Sequence, residues 1–328
     1  MLAHPFIIAL LLTQISVAVI VTYAAWKGIY ALRHWSASSF AAQQLTLERE
    51  NYLLGAIVQV AVGAQIVSLA LFVWLINSYL PDLIRGAMCG AGALEANEYG
   101  YPLLYIKTIT LPLYAFYLLL QFADNQAPDY PLTPFKYYFL LPVVAAILAE
   151  TWLMTSYFFR LSPDVIVTCC SVDFLTSPSP AAAFLSSGNF LQIALWAWGI
   201  TGALLVAADW RKPFLPLWLH GLLILAFVAL SLYTLKYFFV KYIYGLPSHL
   251  CLFDLFLPHH HYIGYVLFLL YYILIISMML SIAMPVLQKR VRQTLPSMQL
   301  WVNLRLVALL LSLLIPLAYR VLWPHGTL

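Results

Sequence analysis

The sequence predicts an all-α polytopic integral membrane helix bundle with eight transmembrane helices and both termini extracytoplasmic. Three observations carry that prediction. Only 9% of the 328 residues are charged and 64% are hydrophobic, whereas soluble domains carry about 25% charged residues. The apolar residues fall into runs of about 18 or more, long enough to cross a bilayer. Lys and Arg gather in alternate connections between those runs, as the positive-inside rule requires.

The candidate spans are 5–32, 52–80, 102–122, 135–159, 187–208, 214–244, 262–287 and 300–322. The first lacks a basic leader and an Ala-x-Ala-like cleavage site and is expected to be a retained helix. With the connections around 26–51, 123–134, 209–213 and 288–299 on the cytoplasmic side, that side holds Lys27, Arg33, Arg49, Arg211, Lys212, Lys289, Arg290 and Arg292. Lys136 and Arg305 lie just inside flanking helices, and the opposite loops offer only Arg85 and Arg160. The net charge of +4 is therefore an orientation signal, and nucleic acid is not an expected partner. The lipid bilayer is, and a bacterial inner (cytoplasmic) membrane with periplasmic loops fits the pattern.

Between the first and second spans, HWSASSFAAQQLTLERE exchanges apolar for polar residues and allows a short interfacial helix. The second span carries Gly55, Gln59 and Gly63 at four-residue spacing, a face suited to close helix packing. Leu80-Pro81 ends it, because proline removes a backbone donor. Asn189, Gln192, Trp196 and Gly199 form a one-sided stripe on the fifth span. The short DWRKP turn makes the fifth and sixth spans antiparallel neighbours. Leu80-Pro81, Cys89 and Gly100-Tyr101 are echoed by Leu246-Pro247, Cys251 and Gly264-Tyr265. These matches are too short to establish a repeat, and 1–328 reads as a single transmembrane domain with a cysteine-containing extracytoplasmic loop cap over about 81–101, 160–186 and 245–261.

All four cysteines, Cys89, Cys169, Cys170 and Cys251, fall in three loops on one side of this topology. An extracytoplasmic face permits disulfides, and four cysteines admit three complete pairings. Two structural disulfides stapling the loops are the ordinary expectation. The functional alternative is exchange among Cys169, Cys170, Cys89 and Cys251 that passes electrons to a quinone; neither Cys-x-x-Cys nor a thioredoxin-like pattern is present.

Cys251, Asp254, His259, His260 and His261 supply metal-ligand types close together, although no established zinc spacing is matched. Within the spans, Lys107, Glu150 and Lys236 are expected about 8 to 14 Å from the outer boundary, level with Asn189 and Gln192. Isolated charges at that depth are costly, so pairing or a wet cavity is expected. Only His220 lies clearly inside a span, which argues against a bis-histidine haem held by this chain alone.

These features point to an inner-membrane redox component, either a thiol-quinone oxidoreductase or a membrane subunit of an electron-transfer assembly. Its partners would be periplasmic redox proteins or other membrane subunits. A transporter or ion-binding permease with stapled loops, and a non-catalytic scaffold subunit, are the alternative expectations.

Overall fold

The computed structural model describes residues 4–35, 42–126, 130–162, 164–167, 187–210, 216–245, 250–291 and 298–323. The helices are α1 (Pro5–His34), α2 (Ala42–Ser78), α3 (Gly90–Glu95), α4 (Gly100–Asn125), α5 (Thr133–Phe159) and α6 (Gly188–Trp210). They continue with α7 (Leu217–Thr234), a π-helical turn (Leu235–Phe239), α8 (Val240–Tyr244), α9 (Ile263–Val291) and α10 (Met298–Leu322). Among the described residues, eight stretches are long and apolar enough to cross a membrane, with α7, the π turn and α8 acting as one span, Trp218–Tyr244. No strand occurs among the described residues. Large apolar side chains such as Val60, Ile109, Trp196 and Leu225 point outward, a surface that suits lipid rather than water.

The chain divides into two compact units. One comprises Met1–Arg85, Ala93–Val167 and Val286–Leu295, and the other Gly86–Gly92, Thr168–Pro285 and Pro296–Leu328.

In the first unit α1, α2, α4 and α5 close a ring in which α1 packs on α2 and α5, and α4 on α2 and α5. The packing follows a 3.5-residue period, the spacing that keeps one seam facing its neighbours along antiparallel helices. On α1 the seam is Ile7, Leu10, Gln14, Val17, Val21, Ala24, Gly28 and Ala31, all buried. On α4 it is Gly100, Leu103, Lys107, Thr110, Tyr114, Tyr117, Gln121 and Asp124. On α5 it is Thr133, Lys136, Leu140, Val143, Ile147, Glu150, Met154 and Tyr157. Most polar members of the α4 and α5 seams lie toward the helix ends, while Val17, Val21, Val58, Leu140 and Val143 fill the middle.

Two local expectations differ from the structure. The residues from Ala42 onward do not form a separate interfacial helix, because α2 runs unbroken to Ser78. Its first turns are tied down by a Gln44 Nε2 bond to Glu48 Oε1 at 3.0 Å, by burial of Leu47, and by Lys27 facing Glu50 at 3.5 Å. Gly55 does meet a neighbour, since a side chain there would strike the Gln121 amide, but Gly63 faces open space and Gln59 is exposed. Four-residue steps advance about 40° beyond a full turn, so by Gly63 the face has rotated away from the seam.

The second unit contains α6 to α8, α9 as far as Pro285, and α10. As the short 209–213 connection suggested, α6 packs on α7. Trp198 is fully buried against Phe227 and Phe239, and its Nε1 donates to Ser231 Oγ at 2.8 Å. The stripe on α6 is one-sided, but its Asn189, Gln192 and Trp196 face outward.

Candidate functional site

A buried polar cluster of the first unit lies about two turns in from the Gly100 end of α4. Lys107 Nζ donates to Glu150 Oε2 at 3.2 Å and to Ser68 Oγ on α2 at 3.0 Å. Tyr114 Oη donates to Glu150 Oε1 at 2.6 Å, and Thr110 Oγ1 lies 2.5 Å from that same oxygen. Lys107 is 2% exposed and Glu150 0%. A carboxylate taken out of water needs such donors, since an ion left unpaired there costs several kcal/mol. Of the charged layer expected from the sequence, Lys107 and Glu150 thus meet within one bundle.

Two glutamines flank it. Gln14 on α1 donates to Thr151 Oγ1 at 3.1 Å, next to Glu150, while Gln65 sits one helical turn from Ser68 on α2. Among the described residues, Gln14 Oε1 and Gln65 Oε1 are both buried without a hydrogen-bond partner. Such acceptors favour a donor from outside the chain.

A groove of about 410 Å³ between α1 and α2 reaches the centre, lined by Phe6, Leu10, Thr13, Val67, Ser68 and Trp74 among others. Its walls are apolar apart from Thr13 and Ser68, and Ser68 is the hydroxyl that binds Lys107. A second groove of about 480 Å³, bordered by Ala18, Tyr23, Trp26 and Leu148 among others, includes no charged side chain.

Two further buried ion pairs escaped the sequence reading. At the other end of α4, Lys136 Nζ donates to Asp124 Oδ2 at 2.9 Å and to Asn51 Oδ1 at 3.0 Å. Asp124 also accepts from the Leu132 backbone N–H and from Thr133 Oγ1, each at 2.9 Å, so it fastens the start of α5. In the second unit Arg305 is 0% exposed and Nη1 donates to Asp209 Oδ2 at 2.6 Å and to the Leu205 carbonyl at 3.1 Å. Its remaining N–H groups go to Ser277 Oγ, the Ser277 carbonyl and Ser281 Oγ, which uses all five guanidinium donors. His220 Nε2 lies 3.8 Å from Asp209 Oδ2. From sequence, Lys136 and Arg305 read only as orientation charges just inside flanking helices. The available signal was that Asp124 and Lys136 share the 3.5-residue seams of Lys107 and Glu150.

Asn189, Gln192 and Lys236 belong to the second unit, and all three are exposed there. Lys236 Nζ stands 5.5 Å from the Tyr237 ring centroid.

Among the extramembrane candidates, Cys89 Sγ and Cys251 Sγ are 3.4 Å apart. Cys169 and Cys170 lie outside the described residues. The exposed His259 meets His260 edge to face with ring centroids 4.5 Å apart, His260 also packs on Tyr244 at 4.6 Å, and His261 turns to Trp323 at 4.6 Å. Asp254 instead joins Cys89 and Cys251, with ligand atoms all within 4.8 Å of one another. Glu98 forms an exposed pair with Arg160 at 3.0 Å.

Comparison with protein-family models, curated proteins and solved structures found no match to this chain.

Proposed function

We propose that this protein is a membrane component of an electron-transfer assembly that binds a lipid-soluble quinone at the Ser68, Lys107 and Glu150 centre. The observation that carries this reading is the groove between α1 and α2, whose apolar walls end on the hydroxyl that accepts from Lys107. A hydrophobic tail suits those walls, and a quinone carbonyl would accept from Ser68 Oγ or Lys107 Nζ. Reduction takes two electrons and two protons to the quinol. Electrons come from a redox partner, or from two cysteine thiols that lose two protons as they join in a disulfide. Tyr114, Thr110 and Glu150 supply the connected hydroxyl and carboxyl groups through which protons reach Lys107 and the quinone oxygen. In this reading both termini and the cysteine loops face the extracytoplasmic, periplasmic side of a bacterial inner membrane.

Photolabelling purified protein with an azido-quinone tests the site. The expected label falls on groove residues of α1 and α2, is competed by unlabelled quinone, and drops at least tenfold in Ser68→Ala or Lys107→Met. Uncompeted label spread over the lipid-facing surface would overturn the reading.

A second reading, an ion-binding permease, draws on Gln14 Oε1 and Gln65 Oε1, two buried acceptors beside the ion pair. It expects Glu150→Gln to abolish cation or proton flux in proteoliposomes, with quinone labelling absent.

A further inference from the structure

Beyond α8, Cys251 and Asp254 form a cluster with Cys89 that stands apart from the quinone reading. Tyr244 Oη donates to the Cys251 carbonyl at 2.7 Å, which fixes that residue against the end of the helix. Asp254 sits in a short 3-10 turn, Phe253–Phe256. The Leu257 N–H closes on the Asp254 carbonyl at 3.0 Å, and Leu255 and Phe256 are buried beneath it. Cys89 is 2% exposed and comes from a stretch more than a hundred residues earlier in the chain, so two separate segments converge on one point.

Three features of that point belong together. The two sulfurs are 3.4 Å apart, close to the roughly 3.7 Å that two thiolates keep when both bind one tetrahedral ion at about 2.3 Å. A carboxylate oxygen of Asp254 lies within 4.8 Å of both, a span that one central cation bridges. Thiolate and carboxylate donors together match a borderline-soft divalent cation better than calcium or magnesium, which take all-oxygen sets.

We propose that Cys89, Cys251 and Asp254 form a binding site for a thiolate-seeking divalent cation of the zinc type. Binding replaces the two thiol protons with two metal–sulfur bonds and one metal–oxygen bond, releasing two protons per ion. These three ligands come from the described residues, and a tetrahedral ion takes a fourth. The His259, His260 and His261 run takes no part in this set.

Cobalt(II), a coloured substitute for zinc, is the probe. Purified full-length protein, reduced with a phosphine and freed of metal, is titrated with Co2+ alone. One equivalent is expected to bind, giving sulfur-to-cobalt charge-transfer absorption and the intense visible bands of tetrahedral cobalt, both removed by Zn2+. Asp254→Asn should weaken binding at least tenfold, and Cys251→Ser should remove the charge-transfer band. A Cys169→Ser/Cys170→Ser double variant should keep both signals. Gel-filtration profiles and thermal transitions establish that each variant is folded; if Cys251→Ser fails that check, Asp254→Asn carries the test. The proposal is overturned if cobalt affinity is unchanged in Asp254→Asn, if the double variant alone abolishes binding, or if reduced wild-type protein shows no charge-transfer band. It is also overturned if trapping thiols in intact membranes yields a Cys89–Cys251 disulfide and the reduced protein binds no cobalt.

Discussion

Asp124 and Glu150 are both buried carboxylates with both oxygens engaged and a lysine opposite, and they differ in the lysine's other partner: Lys107 reaches Ser68 on a groove wall, whereas Lys136 reaches Asn51. Both oxygens of Asp124 are engaged, one by the Leu132 backbone N–H and the other by Lys136 and Thr133, so that pair closes on itself and holds the α4–α5 turn. Replacing Lys136 with Met leaves Asp124 uncompensated and is expected to cost about 3 to 5 kcal/mol. The double variant Asp124→Leu/Lys136→Met should recover most of that loss, as read from thermal unfolding in detergent; equal instability of the single and double variants would contradict a paired role. A different constraint acts at Gly245, which has a φ of 69° and whose added Cβ would lie 2.5 Å from Arg320 Nη1. Gly245→Ala should destabilise by about 1 to 2 kcal/mol, because left-handed backbone is costly for a residue with a side chain.

At the scale of single helices, the seams explain which contacts matter. The extension of α2 toward Ala42 is tethered twice, by an ion pair whose side chains are 31% and 42% exposed and by the buried Asn51, which accepts from Lys136 at 3.0 Å. Lys27→Ala is expected to shift the unfolding transition by less than about 1 kcal/mol. Asn51→Leu should cost more, since it strands a buried ammonium donor, and the two transitions measured side by side rank the tethers. Span existence was readable because an apolar run of sufficient length needs no partner to be recognised. The meeting of Lys107 and Glu150 was partly readable, because a cation and an anion fall at similar depths in consecutive spans and each needs a partner there. Lys136 and Arg305 were not, because a cation three or more residues inside a helix end can either snorkel outward or turn onto a seam. Rotational phase decides between those outcomes, and it depends on the neighbouring helices. The same ambiguity hid the convergence of Cys89 and Asp254, whose separation in sequence is bridged only by the folded loops.

For the whole molecule, the division into two units makes the first bundle a candidate for independent folding. A fragment of residues 1–167 contains α1, α2, α4 and α5, along with the two buried ion pairs Lys107–Glu150 and Lys136–Asp124. Expressed alone in membranes, it should give a monodisperse helical protein whose thermal transition falls on Lys136→Met; a fragment that aggregates in every detergent would show that the bundle needs the rest of the chain. The charge order along the α4 and α5 seams also bears on biogenesis. Read from N to C terminus, α4 carries a cation and then an anion, and α5 again a cation and then an anion, so only the antiparallel hairpin in one register satisfies all four. Delivered singly to the lipid phase, Lys107 or Glu150 would each add roughly 2.5 to 3.5 kcal/mol against insertion. Threaded together they cancel, which makes the hairpin, rather than either helix, the natural unit that the translocon releases sideways into the bilayer.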